Sequence, residues 1–130
     1  MTQSDTLRES IESAQFGKLA DAYASDALLD ATVGTWRLQR QGPEAIIRQF
    51  EKWYPTPPRL LSWREWPTEW GTVIQAEERQ GEGEAEVYFR YVNLLFITAG
   101  RITEHICHCS GPWDRAAVRR HAEKAPMVHA

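Results

Sequence analysis

The residues best suited to chemistry lie close together near the C-terminus, in the segment GRITEHICHCSGPWD at positions 100–114. Two histidines, two cysteines, a tryptophan and an aspartate occur there. Imidazoles and thiols at such short spacing are typical of zinc sites and of Cys/His nucleophiles. The segment also reads as a β-strand, in which successive side chains point to opposite faces of the sheet. His105, Cys107 and Cys109 would then share one face, and His108 would lie on the other.

This strand geometry argues against both kinds of site. A structural zinc ion needs four ligands that converge tetrahedrally, whereas side chains in a row along one strand diverge. A thiol nucleophile needs an activating base and a lowered pKa, and no recognisable signature of such a site flanks Cys107 or Cys109, so neither is predicted to be a nucleophile. Residues i and i+2 of a strand are about 6.5–7 Å apart, farther than a relaxed disulfide usually bridges. We predict two buried free thiols, no metal and no cofactor.

The size and charge of the chain limit the classes of function. Its 130 residues predict a single domain over 1–130, with a core at about 5–114 and a C-terminal helical extension or tail at 115–130. A net charge of −3 provides no basic stripe, so nucleic acid is not predicted as a partner. No apolar run approaches the ~18 residues needed to span a bilayer, and the polar N-terminus lacks the apolar region of a signal peptide. We therefore expect a soluble, cytoplasmic protein with no membrane partner.

Helices are predicted mainly in the first half of the chain. Helical spacing of apolar residues extends over 5–23, with a break at Gly17. The run Gly42-Pro43-Glu44 favours the start of another helix, which should end near Tyr54, before a group of prolines. Asp114 is a suitable N-cap for a last helix.

Strands are predicted mainly in the second half. A short strand at 27–32 comes first, and alternating side chains predict further strands at 59–65, 72–79, 84–98 and 101–110. Helices followed by hairpin-linked strands predict an α+β fold, with helices packed on one face of an antiparallel sheet.

This order of elements, together with local motifs, resembles the NTF2-like superfamily. The motifs are YASDA at 23–27, GPEAI at 42–46 and ITEHICHCSGPWD at 102–114, and RHAEKAPM at 120–127 is similar to extensions of uncharacterised bacterial members. The resemblance covers about 7–114. It implies the cone fold shared with ketosteroid isomerases and SnoaL-like polyketide cyclases, in which N-terminal helices pack on a strongly curved, mixed but mainly antiparallel sheet that encloses a pocket. The motifs are architectural, so they support a fold rather than an activity.

The functional residues of the isomerases do not carry over onto this chain. The resemblance places Leu7, Ala31 and Val92 at the positions of the catalytic tyrosine, the proton-transferring aspartate and the oxyanion-hole aspartate. All three are apolar here. A shift by one residue would bring Asp30 and Asn93 to two of these positions. Isomerisation by the familiar three residues is therefore not predicted.

The register of the last hairpin decides which side chains face the implied pocket. A tight turn at Ala99-Gly100 would pair Ile97 with Ile102 and Leu94 with His105. The predicted pocket residues are Tyr23, Trp36, Tyr88, Arg90, Val92, Leu94, Cys107 and Trp113. The opposite sheet face also carries bulky side chains, so we expect it to pair with a second copy in a homodimer. A shift of one residue would exchange the two faces.

His105 is the main candidate for catalysis, because an imidazole on an apolar inner face can act as acid or base near neutral pH. Asp30 would assist it, with Tyr23 as further support. Alternatively, His105 is a core residue hydrogen-bonded to a hydroxyl or carbonyl group. We expect the cone to bind a small hydrophobic molecule, apolar or aromatic. Proton transfer of isomerase, cyclase or hydratase type is one hypothesis, and a non-catalytic binding or dimerisation module is the other.

Overall fold

The computed structural model describes residues 1–129, so Ala130, the last residue of the predicted domain, lies outside the described part. In chain order the elements are α1 (Gln3–Ser13), α2 (Leu19–Ala22), β1 (Tyr23–Val33), β2 (Trp36–Gln41), α3 (Pro43–Trp53), β3 (Arg59–Pro67), β4 (Gly71–Gln80), β5 (Val87–Thr98), β6 (Arg101–Cys109) and α4 (Arg115–Lys124). A single 3₁₀ turn at Gly83–Ala85 precedes β5. Within residues 1–129, no helix is both long enough and apolar enough to cross a bilayer.

The strands form one mixed sheet in the order β2-β1-β6-β5-β4-β3. Strands β1 and β6 are parallel, and every other neighbouring pair is antiparallel. The predicted α+β class with a mainly antiparallel sheet is confirmed. Strand β2 is not predicted by the sequence pattern, because it lies at the sheet edge with most of its residues exposed and so lacks an apolar alternation.

Local signals set the ends of the helices that cover the sheet. Thr2 and Asp5 form a reciprocal capping box at the start of α1. Helix α3 begins at Pro43 and ends before the prolines, as predicted. Its buried face includes Ile46 and Phe50, which pack against the sheet. The apolar residues that recur with helical periodicity thus form the face of α3 that contacts the sheet.

A β-bulge in β6 decides which side chains face the helices. The turn pairs Ile97 with Ile102, as predicted, and Thr103 is then an extra residue without a partner on β5. Beyond this bulge, His105 lies opposite Leu95, one residue from the predicted partner. The predicted register is therefore wrong by one residue, because an extra residue changes the alternation of everything that follows it.

The bulge moves part of the predicted pocket to the other face of the sheet. His105 and Cys107 face helices α1 and α3, whereas Arg90, Val92 and Leu94 lie on the opposite face of the sheet. The inner side chains of β5 are Phe89, Tyr91, Asn93 and Leu95. The resemblance places Val92 at the oxyanion-hole position, or Asn93 if the alignment shifts by one residue. Of these two residues, Asn93 is the one that lies on the inner face.

The core lies between the helices and this inner face. Its buried apolar side chains include Leu7, Ile11, Leu29, Ile46, Phe50, Ile74, Leu95 and Ile102. Each large apolar side chain buried in this way contributes roughly 1.5–3 kcal/mol. Polar side chains on the same inner face are held in a rigid, apolar setting, and they form the candidate site.

Candidate functional site

A cavity of about 80 Å³ lies between the helices and the inner face of the sheet. It is lined by Ile11, Val33, Phe50, Trp53, Tyr54, Glu78, Gln80, Phe89, Tyr91, Asn93, Cys107 and Cys109. Half-buried side chains such as Trp53 and Phe89 form its rim, and buried ones form its floor. One water needs about 10–15 Å³, and an apolar cavity of about 150 Å³ binds benzene in another protein, so this space takes several waters or a molecule smaller than benzene within its walls.

Glu78 is the most unusual group on the cavity wall, because its side chain is fully buried. Alternation along β4 brings it to the inner face together with Ile74 and Ala76. The Tyr54 hydroxyl donates to Oε1 at 2.6 Å, and the Gln80 amide donates to Oε2 at 2.7 Å. Burial raises the pKa of Glu78, although these two hydrogen bonds oppose the rise. The result is a carboxyl group held in a fixed orientation and easier to protonate than an exposed one.

Tyr91 provides a second polar group beside Glu78. Only 6% of the residue is exposed, and its hydroxyl is buried without a hydrogen-bond partner among residues 1–129. Burial and the nearby Glu78 carboxyl raise the pKa of Tyr91, so the hydroxyl keeps its proton. Buried hydroxyls without partners are uncommon and costly in native proteins. The hydroxyl therefore stands on the cavity wall beside Glu78 and Tyr54 as a polar group that can donate or accept.

Asn93 is the third polar group, and it belongs to a chain of hydrogen bonds in the core. Its Oδ1 lies 2.7 Å from Nε2 of His105, and Nδ1 of the same ring lies 2.7 Å from the Tyr23 hydroxyl. One tautomer satisfies both contacts: Nε2–H donates to Asn93, and Nδ1 accepts from Tyr23. The Asn93 amide nitrogen is left without a partner among the described residues, on the cavity wall.

His105 thus lies behind the cavity surface rather than on it. It is fully buried, and both of its ring nitrogens are engaged. Burial lowers the pKa of His105 from its usual 6.5 to about 3, so the ring is neutral near pH 7. This environment matches the alternative hypothesis, in which His105 is a core residue hydrogen-bonded to a hydroxyl or carbonyl group. Its partners are the Tyr23 hydroxyl and the side-chain carbonyl of Asn93. The geometry gives His105 a positioning role, because it fixes the side chain of Asn93.

The two cysteines are free and both line the cavity. Burial raises the pKa of Cys107 and of Cys109, so both stay protonated near neutral pH and are poor nucleophiles. Within residues 1–129, no three His, Cys, Asp or Glu side chains come close enough together to hold a metal ion.

The predicted proximity of Asp30 to His105 is wrong. Asp30 lies on the outer face, because it follows the inward Leu29 on β1. Its carboxylate accepts hydrogen bonds from Arg37 at 2.6 and 3.0 Å and from Gln39 at 3.1 Å. Those bonds lower the pKa of Asp30, Arg37 contributing most. Asp30 is therefore part of a surface ion pair between neighbouring strands.

The other predicted pocket residues are dispersed. Tyr23 is buried behind the cavity, and Trp36 is 71% exposed at the sheet edge. Tyr88 lies on the outer face and donates to Glu77. Trp113 forms a bridge with Tyr88 and stacks on His121 of α4 instead of closing the cone. Of the eight predicted pocket residues, Cys107 alone lines the cavity.

Sequence reasoning missed the groups that do meet in the cavity. The alternation Ile74-Ala76-Glu78 was visible and would have placed Glu78 inside. Tyr54, at the end of α3, offers no such signal, because its contact with Glu78 depends on how the helix packs on the sheet. The inward position of Tyr91 follows from its pairing with Ala76 on β4, a register that the sequence does not reveal.

No protein-family model and no curated protein matches the chain. Solved structures do match it. They include an NTF2-like protein from Anabaena variabilis, with 13% identity, a TM-score of 0.67, and coverage of 81% of this chain and 81% of that one. An NTF2-like protein of unknown function from Mesorhizobium loti has 18% identity and a TM-score of 0.61, covering 84% of this chain and 91% of that one.

A third solved structure belongs to an LEH-like epoxide hydrolase of M. tuberculosis, with 11% identity, a TM-score of 0.64, and coverage of 82% of this chain and 74% of that one. Helices packed on one face of a curved sheet, with a pocket between them, define the class of α+β cones. Within that class the chain has the NTF2-like fold, as the resemblance implied. Identities this low establish the fold and no activity.

Proposed function

We propose that the protein binds a small, largely apolar or aromatic molecule in its cone, and that Glu78 exchanges a proton with the bound molecule. One observation carries the proposal: a fully buried carboxyl group stands on the wall of a cavity built mainly from aromatic and aliphatic side chains. Apolar cavities with a few converging polar groups are the usual form of small-molecule sites.

The surroundings of Glu78 suit proton exchange. A general acid or base works best when its pKa lies near the operating pH, and burial moves the pKa of Glu78 upward, toward neutrality. Tyr54 and Gln80 hold the carboxyl in one orientation. The role that the sequence suggested for His105 and Asp30 is therefore proposed for Glu78, since His105 lies behind the cavity wall and Asp30 lies on the outer face.

We expect 4-fluorophenol, a single ring with one hydroxyl, to bind with its hydroxyl end in the cavity and the rest of its ring between the rim residues Trp53 and Phe89. A ligand at 100 times its Kd adds about 2.7 kcal/mol to the free energy of unfolding, which for a chain of this length raises Tm by roughly 10 °C. Broadening of the ligand's ¹⁹F NMR signal on addition of protein, together with the shift in Tm, measures the binding.

A matched pair of variants locates the site. Cys109→Phe adds a ring on the cavity wall and should abolish both signals, whereas His108→Phe adds the same ring on the opposite face and should leave them unchanged. Binding that survives Cys109→Phe would show that the ligand sits elsewhere, and an absence of binding by the unmodified protein would contradict the proposed function.

We also propose that the outer sheet face pairs with a second copy of the chain. Val92, Leu94 and Ile106 form a half-buried apolar patch on the central strands β5 and β6. Beside the patch, Arg90 lies 3.4 Å from Glu77, so the residues around it carry both positive and negative charge. Across a two-fold axis, the positive group of one copy can therefore face the negative group of the other. A patch of this kind on central strands is typical of an interface.

Light scattering coupled to size exclusion should therefore give twice the chain mass of 15.0 kDa. Leu94→Glu places a charge in the patch and should give the monomer, whereas Met127→Glu, at a residue that is 73% exposed, should not. A monomeric unmodified protein at micromolar concentration would refute the dimer.

A further inference from the structure

Among residues 1–129, Glu78 has neutral hydrogen-bond partners only, which is unusual for a fully buried carboxyl group. Buried acidic side chains are normally paired with a cation, because an unpaired charge is costly away from water. Tyr54 and Gln80 donate hydrogen bonds to it but carry no charge. The ion pairs between described residues all involve other carboxylates, and the adjacent Glu77 pairs with Arg90 on the outer face.

The cavity wall has the composition that attracts positive charge. No lysine, arginine or histidine is among its lining residues in the described part of the chain. Five of the lining residues are aromatic: Phe50, Trp53, Tyr54, Phe89 and Tyr91. The face of an aromatic ring carries negative charge density and attracts ammonium groups, most strongly where water is excluded.

The Tyr91 hydroxyl supplies a further acceptor. It is buried on the same wall and has no hydrogen-bond partner among residues 1–129. A phenolic oxygen accepts hydrogen bonds as well as donating them. An ammonium group carries several N–H donors, so it can bond to Glu78 and to Tyr91 at once.

We propose that the cavity binds a small organic ammonium ion, such as a protonated alkylamine, with its N–H groups on the Glu78 carboxylate and its carbon atoms against the aromatic wall. This inference rests on the proposed function, because it takes the cavity to be a ligand site and adds the charge of the ligand. Carboxylate ligands are disfavoured by the same arrangement, since their charge would meet Glu78 with no cation nearby.

The charge requirement makes binding depend on pH. The ionisable groups that face Glu78 from the neighbouring elements are Tyr54, Tyr91, Cys107 and Cys109, and burial raises the pKa of each, so all four stay neutral below pH 8. Among these groups Glu78 alone is an acid with a low ordinary pKa, raised here by burial, so it is the one that takes up a proton as the pH is lowered. Affinity for an amine that stays protonated should therefore fall as the pH is lowered through the raised pKa of Glu78.

Three molecules of the same shape test the proposal: isobutylamine, isobutanol and isobutyrate, which are positive, neutral and negative at pH 7.5. Isothermal titration at constant ionic strength, set with sodium chloride, measures their affinities. We expect isobutylamine to bind at least about tenfold more tightly than isobutanol, a preference in the range of a desolvated cation–π contact plus a charged hydrogen bond. Isobutyrate should bind more weakly than either.

Glu78→Gln keeps the shape of the side chain and an acceptor for Tyr54 while removing the charge. This variant should lose the tenfold preference for isobutylamine and its dependence on pH, and should bind isobutanol within about threefold of the unmodified protein. Retained isobutanol binding shows that the variant is folded with its cavity intact. Glu77→Gln removes the neighbouring charge on the outer face and should leave the preference unchanged.

The outcomes separate this inference from the proposed function. Equal affinity of isobutanol and isobutylamine, or a preference that persists in Glu78→Gln, would overturn the ammonium site but leave a neutral ligand site in place. Preference for isobutyrate would overturn it as well. If neither these molecules nor 4-fluorophenol binds, both proposals are wrong.

Discussion

Lowering the pH from 7 to 4 is expected to reduce the free energy of unfolding of the unmodified protein by about 3 kcal/mol more than that of the His105→Gln variant. The cause is the burial of His105, which lowers its pKa from 6.5 to about 3. Glutamine offers one donor and one acceptor to Asn93 and Tyr23, but it does not titrate. The difference between the two proteins therefore reports the proton on His105.

The sign of this effect follows from the two pKa values. Above pH 6.5 the imidazole is neutral in both the folded and the unfolded chain, so its contribution to stability is complete. As the pH falls toward 3, the unfolded chain takes up a proton that the folded chain cannot accept, and stability is lost at about 1.4 kcal/mol per pH unit.

Other groups titrate over the same interval, which is why the variant is needed. Glu78 acts in the opposite direction: its raised pKa stabilises the folded protein at low pH, and this contribution is lost as the pH rises through that pKa. Asp30 and Glu77 have lowered pKa values and lose stability as the pH falls. All three remain in both proteins, so their contributions cancel in the difference.

Urea unfolding at pH 7, 6, 5 and 4 measures the prediction. If the two proteins lose stability in parallel between pH 6 and pH 4, His105 titrates normally and is not sealed in the core. The same experiment at pH 7 shows whether glutamine restores both hydrogen bonds, since a buried group left without its partner costs roughly 1–3 kcal/mol.

Replacing Gly71 with alanine is expected to destabilise the protein by at least about 4 kcal/mol, enough to prevent folding if the protein is marginally stable. Gly71 has a φ of +155°, which side chains rarely adopt, and an added Cβ would lie 1.8 Å from the carbonyl oxygen of Leu95. No rotamer relieves a clash between Cβ and backbone, so β4 and β5 would have to separate. That separation would break the hydrogen bond from the Ile97 amide to the Trp70 carbonyl, which is 2.8 Å long.

Gly83→Ala is the control for the conformational part of this cost. Gly83 also has a positive φ, of +58°, but nothing lies within 4 Å of the position that its Cβ would take. This variant should lose only about 1–2 kcal/mol, the usual cost of a left-handed conformation for an L-residue. Comparable urea midpoints for the two variants would show that the contact between Gly71 and Leu95 is looser than the structure indicates.

The elements of the fold are predictable because local signals coincide with the tertiary arrangement. The start of α3 at Pro43, its end before the prolines and the alternation along β4 are all visible in the sequence. Which side chains of β5 share a face with His105 is not predictable, since the bulge at Thr103 has no strong sequence signal and shifts the alternation of β6 beyond it. Edge strand β2 is missed for a related reason, because its residues are mostly exposed on both faces.

The candidate site is less predictable than the fold, because it depends on contacts between distant segments. Tyr54 and Glu78 meet because α3 crosses the sheet, and no spacing in the sequence encodes that contact. His105 lies on the inner face, and its low pKa depends on complete burial between Tyr23 and Asn93, which no sequence pattern reveals. Residue types in the sequence thus indicate which side chains can transfer protons. Packing between distant segments decides which of these side chains reach the cavity.

The bulge at Thr103 also constrains how this protein can change over generations. Point mutations alter one side chain at a time, so they adjust the pocket or the outer surface separately. Loss of a single codon at the bulge would instead exchange the inward and outward residues along the rest of β6, including His105, Cys107 and His108. Descendants of this gene should therefore tolerate substitutions in β6 far more readily than length changes, and its hairpin should be kept at constant length even where its residues diverge.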